Sequence, residues 1–276
     1  MCSQLKRSPL ALLVPVAAFS FLVRSSRLTQ AAPQTSTSDP QAIAILTQAV
    51  TAAEGAQALT SSPIQDFTAT GNITYYWAGE QVQGSVTLKG RGTQQFRIDA
   101  NLPAGTRSYA ITYGGGQVKD TSGVITPIPY HDTVNVGVLS FPYLVIAADL
   151  ADPTLVASYV GLVDNAQGGQ FQQVRVQHQS TPDQDPGGYL AKLRVIDYFV
   201  DPVTGLVAKT VDMTHPYADL AQNYSHEVDF QNYATINGIH VPMMITEKIT
   251  DQTLWQAQLS GISFNTGLTD QDFVLQ

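Results

Sequence analysis

The chain has 276 residues, with 14 Lys and Arg against 22 Asp and Glu and a single cysteine. All four basic residues of the first 31 positions precede every acid, so the chain from Ala32 onward carries ten basic residues, 22 acids and a net charge of −12. That balance argues against phosphate-backbone binding, which draws on clustered Lys and Arg; the lone Cys2 makes no disulfide framework and would leave with an N-terminal signal, so no thiol nucleophile is expected.

At the N-terminus, Lys6 and Arg7 precede an apolar run from Pro9 to Val23, the layout of a secretory signal. The run is too short for a membrane span, which needs about 20 apolar residues, and Pro9 and Pro15 interrupt it. Thr29 and Ala31 supply a T-x-A cleavage site, although Arg24 and Arg27 are unusual neighbours for one. The expectation is therefore a signal peptide over 1–31 and an exported chain, periplasmic or secreted, with a disordered tail or an uncleaved anchor as the alternatives. Cys2 precedes the apolar run, so there is no lipobox and no lipid modification is expected.

Residues 32–38 (A-P-Q-T-S-T-S) form a polar linker. Asp39-Pro40 then opens a helix: Asp caps an orphan N–H, Pro at the first position needs no partner, and Ile43, Leu46 and Val50 follow at helical spacing. From Phe67 the period changes to two, with Phe67, Ala69, Gly71, Ile73, Tyr75 and Trp77 on one face. The alternation repeats through Val82, Val86 and Leu88, then Phe96, Ile98, Ala100 and Leu102, then Tyr109, Ile111 and Tyr113. Burial on one face only is the mark of an antiparallel meander.

The segment from Phe141 to Leu150 is apolar nearly all round and reads as a helix, and Asp152-Pro153 reads as a short helical or turn segment. Strands resume at Val174 and Val176, then Leu190 to Val200, Leu206 to Met213 and Phe230 to Ala234. Asn237-Gly238 signals a tight hairpin turn into Ile239, Val241, Met243 and Ile245, and Leu254 to Phe264 forms a last long strand. The total is ten to eleven strands and two or three helices in one domain over 39–276.

Little of the chemistry-bearing residue content is arranged for catalysis. His131, His178, His215, His226 and His240 form no local metal-binding pair, so no metal or other cofactor is expected and each reads as a surface or strand-face residue. Asp183-x-Asp185-x-Gly187-Gly188 lacks the remaining ligands of a calcium loop. Asp120-Thr121-Ser122-Gly123 reads as a hairpin turn, and no G-x-S-x-G elbow is present. Glu227 and Asp229 share one strand face, which fits a salt-bridged or solvated surface; an acid–base pair is the alternative. No catalytic residue is assigned, and an enzyme, if there is one, would be a hydrolase with a dispersed site.

The order of motifs in the second half carries a resemblance. Tyr198-Phe199-Val200-Asp201-Pro202-Val203-Thr204-Gly205-Leu206 is followed by Phe230-Gln231-Asn232-Tyr233, by Asn237-Gly238-Ile239-His240-Val241-Pro242, and by Asn265 through Asp272-Phe273. This succession resembles the LolA/LolB-like lipoprotein-carrier superfamily and its outer-membrane lipoprotein-sorting relatives. The resemblance implies a mainly β (α+β) fold. It would be an unclosed antiparallel barrel with an N-terminal helix and one or two helices over its concave face, enclosing an apolar cavity for lipid or lipoprotein acyl chains. The candidate cavity residues are Ile73, Tyr75, Trp77, Val86, Leu88, Phe96, Ile98, Tyr109, Ile111, Met243 and Ile245. A filled core built from the same residues is the alternative. An envelope protein is the other candidate partner, on the same scaffold without a cavity, and nucleic acid is not expected.

Overall fold

The alternating segments form one continuous antiparallel sheet in the computed structural model, which describes residues 37–58, 64–135, 139, 141–165 and 168–276. The expected signal, 1–31, lies outside the described residues, as does all but the last part of the 32–38 linker. Helix α1 (Pro40–Ala58) precedes a first meander of β1 (Asp66–Trp77), β2 (Glu80–Arg91), β3 (Gln95–Leu102), β4 (Gly105–Thr112), β5 (Gly115–Lys119) and β6 (Ile125–Ile128). Helix α2 (Pro142–Ala151) then leads into β7 (Leu155–Asp164) and β8 (Gln170–His178), and the short helix α3 (Tyr189–Leu193) leads into β9 (Ile196–Val200). The second meander finishes with β10 (Val207–Thr214), β11 (Tyr224–Ile236), β12 (Ile239–Ile249) and β13 (Gln252–Phe264). The two meanders join where β1 pairs with β13, so the sheet runs β6-β5-β4-β3-β2-β1-β13-β12-β11-β10-β9-β8-β7 and leaves β6 and β7 as unjoined edges.

This is the mainly β, unclosed architecture that was expected, with thirteen strands where alternation alone marks ten to eleven. The extra strands have physical explanations. β5 and β6 are short, and Pro127 is tolerated because β6 is an edge that needs no donor on its outer side. β7 hides its period because its exposed face carries Val160 and Leu162, 51% and 55% accessible, so both faces are apolar. The start of the expected Leu190–Val200 strand is instead α3: the Asp185 carboxylate accepts the backbone N–H groups of Tyr189 (2.8 Å) and Ala191 (3.0 Å) and caps a helical turn. The same capping accounts for the Asp183–Gly188 loop.

Turn chemistry sets the register. Asn237 and Gly238 have φ of 54° and 83°, both in the left-handed region that a two-residue type I′ hairpin demands. β12 and β13 are joined through Thr250 and Asp251, also at positive φ, although neither residue advertises that turn.

Helix α1 begins as its sequence suggests. Asp39 Oδ1 accepts the Gln41 N–H at 2.8 Å, and the Asp39 N–H donates to Ala157 O of β7 at 2.8 Å, which ties the helix start to the sheet. Its buried stripe is Ala42, Ile45, Leu46, Ala49 and Ala53, while Ile43 and Val50 are only partly covered. The alanines let the helix lie close to the strands, and Ile45 and Leu46 each contribute roughly 1.5–3 kcal/mol on burial. His240 Nδ1 of β12, 2.9 Å from Ala52 O, pins the far end of the helix.

Helix α2 buries Pro142, Tyr143, Val145 and Ile146. The Phe141 ring at its start lies 4.3 Å from Phe67 of β1 and 6.2 Å from Phe264 of β13, centre to centre, in tilted and edge-on arrangements that aromatic quadrupoles favour. Both helices belong to the same apolar cluster as the inward residues of the sheet. None of the helices in the described residues is long and apolar enough to cross a membrane.

Candidate functional site

Helices α1 and α2 cover only one end of the inner face. Along β1 the inward row reads Phe67, Ala69, Ile73, Tyr75 and Trp77, and accessibility rises from 2% at Phe67 to 68% at Trp77. Toward the β1–β2 turn the sheet therefore encloses a cavity of about 500 Å³ in place of packed side chains. That volume lies within the range of small-molecule pockets.

The apolar walls come from both meanders: Tyr75, Trp77, Ile98, Tyr109, Ile111 and Val118 on one side, and Met213, Ile249, Leu254 and Trp255 on the other, with Ile128 and Leu139 contributed by β6 and the segment after it. Of the residues proposed from sequence, Tyr75, Trp77, Ile98, Tyr109 and Ile111 line this cavity. Ile73, Val86, Leu88, Phe96 and Ile245 are buried in the core, and Met243 is partly buried against it. The split does not follow strand level alone, since Phe96 pairs with Ile111 and Leu88 with Ile98, and Ile98 and Ile111 belong to the buried core while also lining the cavity.

A polar cluster interrupts the apolar wall. His226 of β11 sits directly opposite Asp212 of β10, with Nδ1 2.6 Å from Asp212 Oδ1, while Nε2 lies 2.9 Å from Glu247 Oε1 of β12. Asn135 Nδ2 donates to the other Asp212 oxygen at 2.9 Å. Asp132 Oδ1 accepts from the Thr214 hydroxyl at 2.7 Å and from the His215 N–H at 3.3 Å. Its second oxygen lies 3.6 Å from His131 Nε2, beyond hydrogen-bond reach, and that nitrogen is buried without a partner among the described residues.

Burial works against a charged His226, yet the two flanking carboxylates outweigh it and hold the imidazole pKa well above its ordinary value. Tyr109 is pushed well above its usual range, by burial first and then by the charges of Glu247, Asp132 and Asp212. Arg107 is the other cation of the wall, and its guanidinium lies over the Tyr75 ring, 5.5 Å from the centre.

The outer face of the same strands differs in kind. Glu227 is held by Lys209 (2.6 Å) and Lys248 (2.8 Å), and Asp229 pairs with Lys248, so the two carboxylates noted in the sequence form a salt-bridged strand face. A second, polar hollow of about 330 Å³ lies beside α2, where His178 pairs with Asp149 and Asp152.

Sequence reasoning missed Asp212, His226 and Glu247, although the signal was present. Glu247 continues the inward alternation of Met243 and Ile245, and His226 shares the phase of Val228 and Phe230. Charged groups in phase with a core are expected only where they are paired or functional.

Neither a protein-family model nor a curated protein matches the sequence. Three solved structures match in shape. A provisionally named outer membrane lipoprotein-sorting protein domain from Vibrio parahaemolyticus is 10% identical, with a TM-score of 0.52 over 84% of this chain and 96% of that one. A LolA superfamily protein from Nitrosomonas europaea is 10% identical, with a TM-score of 0.51 over 84% and 97%. A DUF1329 family protein from Desulfovibrio piger is 12% identical, with a TM-score of 0.51 over 85% and 99%. At such identity the likeness is one of fold, and the chain has the unclosed-barrel fold of LolA-superfamily and outer membrane lipoprotein-sorting structures.

Proposed function

We propose that the protein is an exported, periplasmic carrier that holds lipid or lipoprotein acyl chains in the cavity without covalent chemistry. The observation that supports this most is the cavity itself: about 500 Å³ of mostly apolar space left unfilled between the two meanders of a lipoprotein-sorting fold. Trp77 and Met213, both more than a third exposed, line it and extend its apolar surface to solvent. Such a rim lets a long chain enter or project.

A non-enzymatic role fits the polar cluster. Both ring nitrogens of His226 face carboxylates, and among the described residues no hydroxyl hydrogen-bonds to it, so it lacks the hydroxyl partner of a Ser–His hydrolase. In this reading residues 1–31 are removed on export, and 39–276 act as a single carrier domain.

Native mass spectrometry of the protein isolated from periplasm without detergent tests the proposal. The expected result is a polypeptide beginning near Ala32 with discrete lipid-mass adducts that disappear on organic extraction. A clean apo mass, even after incubation with lipids, overturns the carrier. Retention of an envelope protein by that lipid-free form would point to an interaction module instead.

A further inference from the structure

We propose that the carried amphiphile ends in a cationic group, an alkyl chain bearing a primary ammonium, held at the inner wall of the cavity by Glu247 and Asp132. This inference rests on the carrier reading and adds the chemistry of the polar end.

The argument begins with charge. Asp212, Glu247 and Asp132 all line the cavity, and one imidazolium, His226, is shared between the first two. One cation between two carboxylates leaves a unit of negative charge uncompensated. Among the described residues Asp132 has no cation within hydrogen-bond reach, the ion pair it does form being with His131 at 3.6 Å. Arg107 pairs with none of the three and sits over the Tyr75 ring. An uncompensated charge in an apolar cavity is costly, and a partner that neutralises it binds with corresponding advantage.

Hydrogen-bonding capacity points the same way. Glu247 engages His226 through Oε1, and its Oε2 has no donor among the described residues. Asp132 spends Oδ1 on Thr214 and His215 and leaves Oδ2 without one. His131 Nε2 beside it is buried and unpaired. An ammonium brings three donors to these open positions, a hydroxyl brings one, and a carboxylate brings none and is repelled. All three carboxylates line the same cavity as Tyr109. The hydrocarbon tail then lies against Ile98, Ile111, Leu254 and Trp255.

The test is displacement of a neutral fluorescent naphthylamine probe by dodecylammonium, dodecanol and dodecanoate, each below its micellar concentration. The expected order is ammonium first, displacing at about ten-fold lower concentration than dodecanoate, the margin of one charge-assisted contact. Glu247→Gln, which preserves an acceptor for His226, should shrink that gap to about three-fold or less, weakening the ammonium more than dodecanol. Asp132→Asn should act in the same direction and carries the test if the first variant does not fold. Equal or better displacement by dodecanoate, or a gap unmoved in both variants, overturns the cationic end while leaving the carrier intact. Failure of all three chains to displace the probe overturns the carrier reading and this one with it.

Discussion

Asp212 and His226 face each other across the β10–β11 pair with a carboxylate oxygen and a ring nitrogen 2.6 Å apart, and Glu247 closes the other side of the ring at 2.9 Å. One imidazolium therefore ties three adjacent strands along the wall of the cavity. Removing it leaves two carboxylates buried without a counter-charge, which costs about 3–5 kcal/mol. His226→Gln should lower unfolding stability by that amount in urea titration at pH 6. The folded-state pKa of His226 is raised, so its contribution is complete below the unfolded value of about 6.5 and declines as pH rises toward the folded value. The stability difference between wild type and variant should narrow on the alkaline side; a constant difference from about pH 5 to about pH 10 would contradict the assignment.

Asp272 provides the opposite pH dependence. Its Oδ1 takes Lys89 Nζ at 2.9 Å and its Oδ2 accepts the Thr269 N–H at 2.9 Å, and the lysine first, then the backbone donor, hold its pKa down to about 2. A depressed carboxylate stabilises above its unfolded pKa of about 3.9, and that contribution is lost as pH falls toward 2. Asp272→Asn should cost about 0.5–2 kcal/mol at neutral pH. Urea midpoints of the two proteins should converge in acid.

At the junction of the meanders, Gly71 of β1 faces β13 so closely that a β-carbon would lie 2.2 Å from Gln258 O. The pairing register shifts here, from Thr70 with Gly261 to Gly71 with Leu259. Gly71→Ala must push backbone apart at the central pair and should destabilise by about 1–3 kcal/mol in urea titration. Gly79→Ala, at an open turn, supplies the contrast: its cost should be confined to the positive φ of that position.

The two tryptophans line the cavity from neighbouring strands, Trp77 at the end of β1 being 68% exposed and Trp255 of β13, opposite Tyr75, only 4%. Filling the cavity with an alkyl chain should shift emission to shorter wavelength, chiefly through Trp77. Trp77→Phe should abolish most of that shift while leaving the Trp255 emission in place. A full response retained in Trp77→Phe would move the binding site away from this mouth.

Much of the sheet was legible in the sequence because most strands present one wet face and one dry face, as β1 and β3 do with their alternation. β7 was not, since Val160 and Leu162 make its outer face apolar, and α3 was not, since its cap comes from the Asp185 side chain several residues before it. The site was half legible. Alternation identified the inward side chains, but whether an inward residue fills the core or lines a hollow depends on how far α1 and α2 reach along the sheet, which is a tertiary fact. Asp212, His226 and Glu247 lie far apart in sequence and meet only through strand register.

The pairing of β1 with β13 also governs when the fold can exist. Gln65 N–H bonds to Asn265 Oδ1 across 200 residues, and the strand that completes the middle of the sheet is the thirteenth of thirteen to be made. A chain delivered from its N-terminus by the ribosome therefore waits with the long β1 edge bare and its apolar row uncovered until β13 arrives. Contacts of such span form slowly and an open edge recruits strangers. Vectorial delivery thus makes the half-emerged polypeptide the stage at which escort by a holding factor matters most.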